Sequence, residues 1–228
     1  MAGRLHIASL PLDGLLPRLV HDQPLRTSPN LAPRQPLSII RLEQGQPRLT
    51  NAFWGLTPPW LKVLDHAPHC ARAESLQERS MFRDAFAARR CLVPVSGIYV
   101  WKAQPRMKQP FLVTRVDRGP LLLAALWVRY HTTLTAFTDS TALITVPSNP
   151  LLAPLTDRLP AIIDAACAET WLDPETPLDR AQVNLSPAPL ELLGAFSVSK
   201  RVNDPSCQEW ACGHPTGNMA RWHNEQET

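Results

Sequence analysis

Long apolar runs are missing from this chain, so it offers no helix with the roughly 20 apolar residues needed to cross a membrane. It also opens without a secretory leader, which makes the cytoplasm the expected compartment. Glycine is scarce at 9 residues while proline reaches 24, a balance that disfavours long helices and favours short strands joined by stiff loops. Excess charge is lacking too: 23 basic and 20 acidic residues leave a net charge of +3. A global basic field is thereby excluded, and any nucleic-acid site must be a local patch. No Gly-x-Ser-x-Gly elbow, His-Glu-x-x-His helix or glycine-rich phosphate loop occurs, so a conventional protease or nucleotide enzyme has no support.

What is present is ordinary globular material. The 228 residues are 44% hydrophobic and 19% charged, enough to bury a sizeable core. The five cysteines, Cys70, Cys91, Cys167, Cys207 and Cys212, are odd in number and irregularly spaced, which fits thiols in a reducing compartment. Cys207, Cys212 and His214 lie close together, but their spacing is no zinc knuckle and a fourth ligand is lacking; no metal or cofactor is expected.

Along the chain, Leu5 to Leu10 reads as a first strand and Pro11 to Val20 as a short, interrupted helix. Asp22 to Pro36 reads as an extended loop. Leu37 to Leu42 and Arg48 to Trp54 form a predicted hairpin around Gln44-Gly45. Glu74 to Arg90 has the apolar spacing of a helix. Cys91 to Val95 and Ile98 to Trp101 are predicted strands either side of Ser96-Gly97. Four more follow at Phe111–Val116, Leu121–Tyr130, Leu134–Phe137 and Ala142–Val146, the second so continuously apolar that it belongs centrally in its sheet. Ala161 to Leu172 reads as a helix, Leu178 to Leu193 as partly helical, and Phe196 to Val202 as a last strand; the polar tail is expected to be loose. The fold class is α+β: one domain with much antiparallel sheet and no linker that would divide it.

The densest signal is Arg89 to Trp101, Arg-Arg-Cys-Leu-Val-Pro-Val-Ser-Gly-Ile-Tyr-Val-Trp. Around it, in order, stand Met1-Ala2-Gly3-Arg4, Asn30 to Gln35, Trp54-Gly55-Leu56-Thr57-Pro58-Pro59-Trp60, Cys70-Ala71-Arg72-Ala73-Glu74, Phe82-Arg83 and Ala124 to Trp127. Ser148-Asn149, Thr156-Asp157-Arg158-Leu159-Pro160 and Val198 to Asn203 complete the series. Together they resemble the SRAP family, the abasic-site-processing or "SOS response-associated peptidase" domain, over about residues 1 to 204. The resemblance implies an SRAP-like domain over 1–204 with a largely antiparallel, barrel-like β core and a few flanking helices, followed by a polar tail over 205–228.

The resemblance implies action on abasic sites in single-stranded DNA. In the family, removal of Met leaves a terminal cysteine whose amine and thiol trap the sugar aldehyde as a thiazolidine. A terminal amine titrates near 7.7–8, so a useful fraction is nucleophilic. An asparagine, a glutamate and a histidine orient groups and move protons. At these four positions the present chain has Ala2, Cys70, Val100 and Thr156, losing the terminal thiol, the acid and the imidazole. Gly3, Arg4, Arg72, Glu74, Tyr99, Trp101 and Arg158 of the surrounding framework are kept. By the same resemblance Arg4, Arg72 and Arg158 are candidate phosphate contacts, and Phe53 and Trp54 candidate base-stacking residues. Ordinary ion pairing of the arginines and core burial of Trp54, as for Trp60, Trp101 and Trp127, are the bland alternatives.

Three functions follow. The first is binding of damaged single-stranded DNA, abasic sites included, by an impaired pseudoenzyme without the stable cross-link. The second is residual chemistry: an imine on the Ala2 amine, with lyase side activity or trapping by Cys70. The third is a protein-interaction module that has left DNA. A monomer is favoured.

Overall fold

The computed structural model describes residues 3–61, 66–103, 108–131, 133 and 135–221. Its framework starts from a hairpin. Strands β3 (Pro36–Glu43) and β4 (Gln46–Trp54) pair antiparallel from Pro36↔Phe53 to Glu43↔Gln46. The two loop residues, Gln44 and Gly45, both have positive φ (51° and 76°). That is the turn whose twist suits a two-residue hairpin.

Strands β6 (Arg90–Val95), β9 (Leu121–His131) and β10 (Phe137–Pro147) join this hairpin. The order β10-β4-β3-β6-β9 closes on itself because β9 and β10 also pair, from Phe137↔His131 to Leu143↔Ala125. The result is a five-stranded barrel whose single parallel seam is short, at Ser140↔Phe53 and Thr141↔Trp54 of β10 and β4. The α+β, largely antiparallel and barrel-like expectation is met.

A second, six-stranded antiparallel sheet lies beside the barrel. In chain order its strands are β1 (Leu5–Ile7), β2 (Ser28–Leu31), β7 (Gly97–Ala103), β8 (Lys108–Arg115), β12 (Leu193–Ser197) and β13 (Ala220–Arg221). The Ser96-Gly97 turn carries the chain from the barrel into this sheet. A side chain at Gly97 would stand 2.9 Å from the Val113 carbonyl, so the crossing needs glycine.

Alternation along β9 divides the core. Leu122, Ala124, Leu126 and Val128 pack towards the helices, while Leu121, Leu123 and Ala125 pack towards the second sheet. Each such aliphatic side chain, fully buried, stabilises the fold by about 1.5–3 kcal/mol. On the first side, α1 (Ser80–Ala88) buries Phe82, Ala85 and Phe86, and α2 (Ala168–Leu172) buries Trp171. The buried Arg90 guanidinium ties both helices down: it donates to the carbonyls of Phe86 (2.8 Å), Ala87 (3.0 Å), Trp171 (2.7 Å) and Asp173. A cation there also suits the negative ends of the helices.

Several elements differ from expectation. Residues 11–20 form turns, with Gly14 and Arg18 at positive φ, and no helix. The supposed loop before Pro36 contains β2. The helix over Glu74–Arg90 is a 3₁₀ turn at Ala73–Ser75 followed by the shorter α1. Phe137 opens the same strand that contains Ala142–Val146, and Leu134 lies outside the described residues. The Ala161–Leu172 helix begins only at Ala165, because the Ala161 amide donates to the Ile144 carbonyl (2.8 Å) and Ile162 bridges Leu123. In the Leu178–Leu193 segment α3 (Leu178–Val183) ends early, and the strand expected at Phe196–Val202 is instead β12, which ends at Ser197 before a 3₁₀ turn at Lys200–Asn203. The described part of the tail, residues 206–221, is tied to the fold: Cys212 is buried and β13 pairs with β12.

Candidate functional site

Strand β10 brings the family-motif segments together. Strand β5 (Cys70–Arg72) runs parallel to it, with Leu143↔Cys70 and Thr145↔Arg72 in register. Strand β11 (Arg158–Pro160) pairs antiparallel, with Thr145↔Pro160 and Pro147↔Arg158. Thr145 is the shared hub. Its hydroxyl donates to the Ala71 carbonyl (3.2 Å) and accepts from Arg158 Nε (3.3 Å), and its carbonyl accepts from Arg158 Nη2 (2.7 Å).

Of the four substituted positions, Ala2 lies outside the described residues. The chain just after it is anchored by the Tyr99 amide, which donates to the Arg4 carbonyl (3.1 Å), one residue before Val100. Val100 is 3% exposed, in an apolar cluster with Leu5, Trp54, Ile98 and Leu159. Cys70 packs against that cluster and is half-buried, and desolvation pushes its thiol up to about 12. Leu155 packs there too, and the next residue, Thr156, turns its hydroxyl onto the Arg158 carbonyl (3.1 Å). The Cys70 and Val100 positions therefore meet one apolar cluster, with Thr156 alongside.

The proposed DNA contacts divide by burial. Arg4 is 9% exposed and donates to Asn30 Oδ1 (2.8 Å) and the Val202 carbonyl (2.9 Å). Its guanidinium lies near the Trp101 ring (5.8 Å), with Tyr99 and the last residues of the fold, while the alternate residues Leu5, Ile98 and Val100 face the barrel side. Arg4 is thus held by partners within the fold. Trp54 is 0% exposed, and its indole donates to the His69 carbonyl (2.8 Å), a core placement. Its neighbour Phe53 is 47% exposed. Trp60, expected in the core, is exposed. Arg158 makes a two-pronged ion pair with Glu74 (3.0 and 2.8 Å), which holds that carboxyl below its usual range. Arg72 is exposed, and its guanidinium makes no hydrogen bond or ion pair among the described residues.

Two features escaped the motif reading. His69 precedes the Cys70 motif and stands edge-on to Trp54 at 5.8 Å; burial holds its imidazole below the usual range. Its place next to a motif cysteine was the signal available. Cys207 and Cys212 stand close together, with Cα atoms 7.4 Å apart. The Cys207 carbonyl of this loop accepts from Asn30 Nδ2 (3.1 Å).

Comparison with known proteins agrees with this geometry. The abasic site processing protein YoqW of Bacillus subtilis is 30% identical, over 90% of this chain and 95% of that protein. YobE of the same organism, also named an abasic site processing protein, is 30% identical over 79% and 84% respectively. A crystal structure of a Bacteroides thetaiotaomicron protein superposes with a TM-score of 0.75 at 21% identity, covering 84% of this chain and 86% of that one, and so shares the fold. The family model described as SOS response associated peptidase (SRAP) matches residues 1–205, and the chain belongs to that family.

Proposed function

We propose that this protein binds abasic or otherwise damaged single-stranded DNA on the SRAP framework without forming the stable cysteine cross-link. The observation that carries this reading is the filling of the reactive centre. Val100 is packed in an apolar cluster, and the Cys70 thiol beside it is held near 12, so neither a carboxylate nor a thiolate is available there at neutral pH. Thr156 supplies a hydroxyl, already engaged, where the family's imidazole would act. Binding groups persist around this centre. Arg72 is exposed, Arg158 is fixed by Thr145 and Glu74, and Phe53 offers a phenyl face. Relatives named for abasic-site processing support DNA as the ligand class.

The test is fluorescence anisotropy with matched oligonucleotides, abasic and intact, at about 50 and 200 mM salt. Expected are tighter binding of the abasic strand, a steep loss with salt, and a salt slope smaller by about 1 in Arg72→Ala. A permanent adduct after borohydride would replace the reading by imine chemistry on the Ala2 amine. Absence of DNA binding at both salts would leave the interaction-module reading.

A further inference from the structure

His69 stands at the entrance to β5 with its backbone fixed from two sides. Its carbonyl accepts from the Trp54 indole (2.8 Å) and from the Leu143 amide (3.0 Å), so residues of β4 and β10 both hold it. Just before it, the Pro68 carbonyl accepts from the Leu56 amide (2.9 Å). The imidazole is oriented as well. Its ring meets the Trp54 ring edge-on, with 5.8 Å between centroids and 83° between planes. Trp54 belongs to the apolar cluster that buries Val100 and has Cys70 packed against it. His69 therefore borders the candidate site, between Trp54 and the next residue in the chain, Cys70.

What the ring lacks is a partner. Neither nitrogen makes a hydrogen bond or ion pair among the described residues. A half-buried imidazole on a fixed backbone ordinarily commits a nitrogen to a neighbour, and that bond sets which nitrogen keeps the proton. Burial also holds this imidazole below the usual histidine range, so at neutral pH the ring is uncharged. It then offers one donor and one acceptor at a fixed place.

The charge state decides what such a ring can read. A cation attracts phosphate, which every nucleotide carries, and so does not tell a lesion from an intact unit. A neutral donor–acceptor pair suits a hydroxyl, which itself both donates and accepts. A baseless sugar in its closed form carries a hydroxyl at C1′, where an intact nucleotide carries its base. Arg72, three residues further on and exposed, is left to meet phosphate.

We propose that His69 reads the lesion itself, hydrogen-bonding the C1′ hydroxyl of a baseless sugar bound beside Cys70. The contact rests on the function proposed above and names the residue that makes such binding selective for the lesion.

The test is fluorescence anisotropy with three oligonucleotides that differ at one position. They carry the natural baseless sugar, its tetrahydrofuran analogue without the C1′ hydroxyl, or the intact nucleotide. Wild type, His69→Phe, His69→Gln and Arg72→Ala are compared, with urea midpoints showing that each variant folds. Wild type holds the natural lesion about fivefold tighter than the analogue, the size of one neutral hydrogen bond. His69→Phe erases that difference and leaves binding of the intact strand unchanged. His69→Gln, which keeps a donor and an acceptor, retains part of it, and Arg72→Ala weakens all three strands alike. If His69→Phe preserves the preference for the natural lesion, the contact is wrong and the abasic reading stands. The same follows if wild type holds lesion and analogue equally and both above the intact strand. If His69→Phe weakens the three strands alike, the residue is structural and the contact is overturned. Equal binding of all three strands by wild type removes the abasic reading and the contact with it. A borohydride adduct that forms in wild type and not in His69→Phe would make the imidazole a proton carrier for an imine, and overturn the hydroxyl contact.

Discussion

Placing a carboxylate at position 100, where the SRAP resemblance expects an acid, tests whether Val100 sits in a packed core. The Val100 side chain is 3% exposed and surrounded by Leu5, Ile98, Trp54 and Leu159. A glutamate placed there by Val100→Glu meets no donor among these neighbours, so burial opposes its ionised form and raises its pKa by several units. The unfolded chain ionises this carboxyl near 4.3. Between 4.3 and the raised folded value the native state holds a proton that the unfolded state releases, so stability falls as pH rises. At about 1.36 kcal/mol per pH unit, the penalty from ionisation is roughly 1 kcal/mol at pH 5 and about 4 kcal/mol at pH 7.5. Urea denaturation of wild type and variant at both pH values measures it, because a shift in midpoint at constant slope reads stability alone. The expected result is a variant–wild type gap about 3 kcal/mol wider at pH 7.5. An equal gap at the two pH values would mean that position 100 is wet enough to ionise, and the apolar filling of the site would be refuted.

Other consequences follow from single contacts. Burial holds the His6 imidazole down to about 4, with His214 adding a smaller push. Since an unfolded histidine protonates near 6.5, stability falls as pH drops from 6.5 towards 4, by at most about 3 kcal/mol, and His6→Phe flattens that limb in denaturant titrations. An acid limb unchanged by His6→Phe would disprove the assignment. Arg90→Met strips the partner from the carbonyls of Phe86, Ala87, Trp171 and Asp173, and costs about 3 kcal/mol or more by urea midpoint; a loss below 1 kcal/mol would contradict the tie between α1 and α2.

How much of this was legible depends on whether one residue or its partner decides it. The β3–β4 hairpin was readable because Gln44-Gly45 and the flanking alternation are local. The continuous run in β9 announced a strand buried on both faces, and its residues do supply both halves of the core. A barrel-like core was expected, but the two parallel pairs that complete it, Ser140↔Phe53 and Thr141↔Trp54, lie far apart in sequence and were not readable. The candidate site shows the same divide. Phe53 and Trp54 are consecutive on a strand, so only one can face inward; the motif named both and could not say which. The same holds for Arg4 beside Leu5, where the guanidinium falls on the face covered by the Val202 segment. The docking of residues 207–213 depends on Asn30 and Gln208, whose hydrogen bonds no local pattern announces.

Cys70 decides between a binder and a residual trap, because it stands where the SRAP resemblance expects an active-site asparagine. With its thiol near 12, the thiolate fraction at pH 7.5 is about 3 × 10⁻⁵, against about a tenth for an ordinary cysteine near 8.5. Thiolate supply alone therefore slows attack on an electrophile about 3,000-fold, before access is considered. Site-resolved alkylation, with each cysteine followed by peptide mass spectrometry, reads this directly. Cys70 should label about a thousandfold or more slowly than a small-molecule thiol at pH 7.5 and gain about tenfold per pH unit up to 10. Labelling at the ordinary rate would put a usable thiolate beside Val100 and restore the trapping chemistry that the packed site argues against.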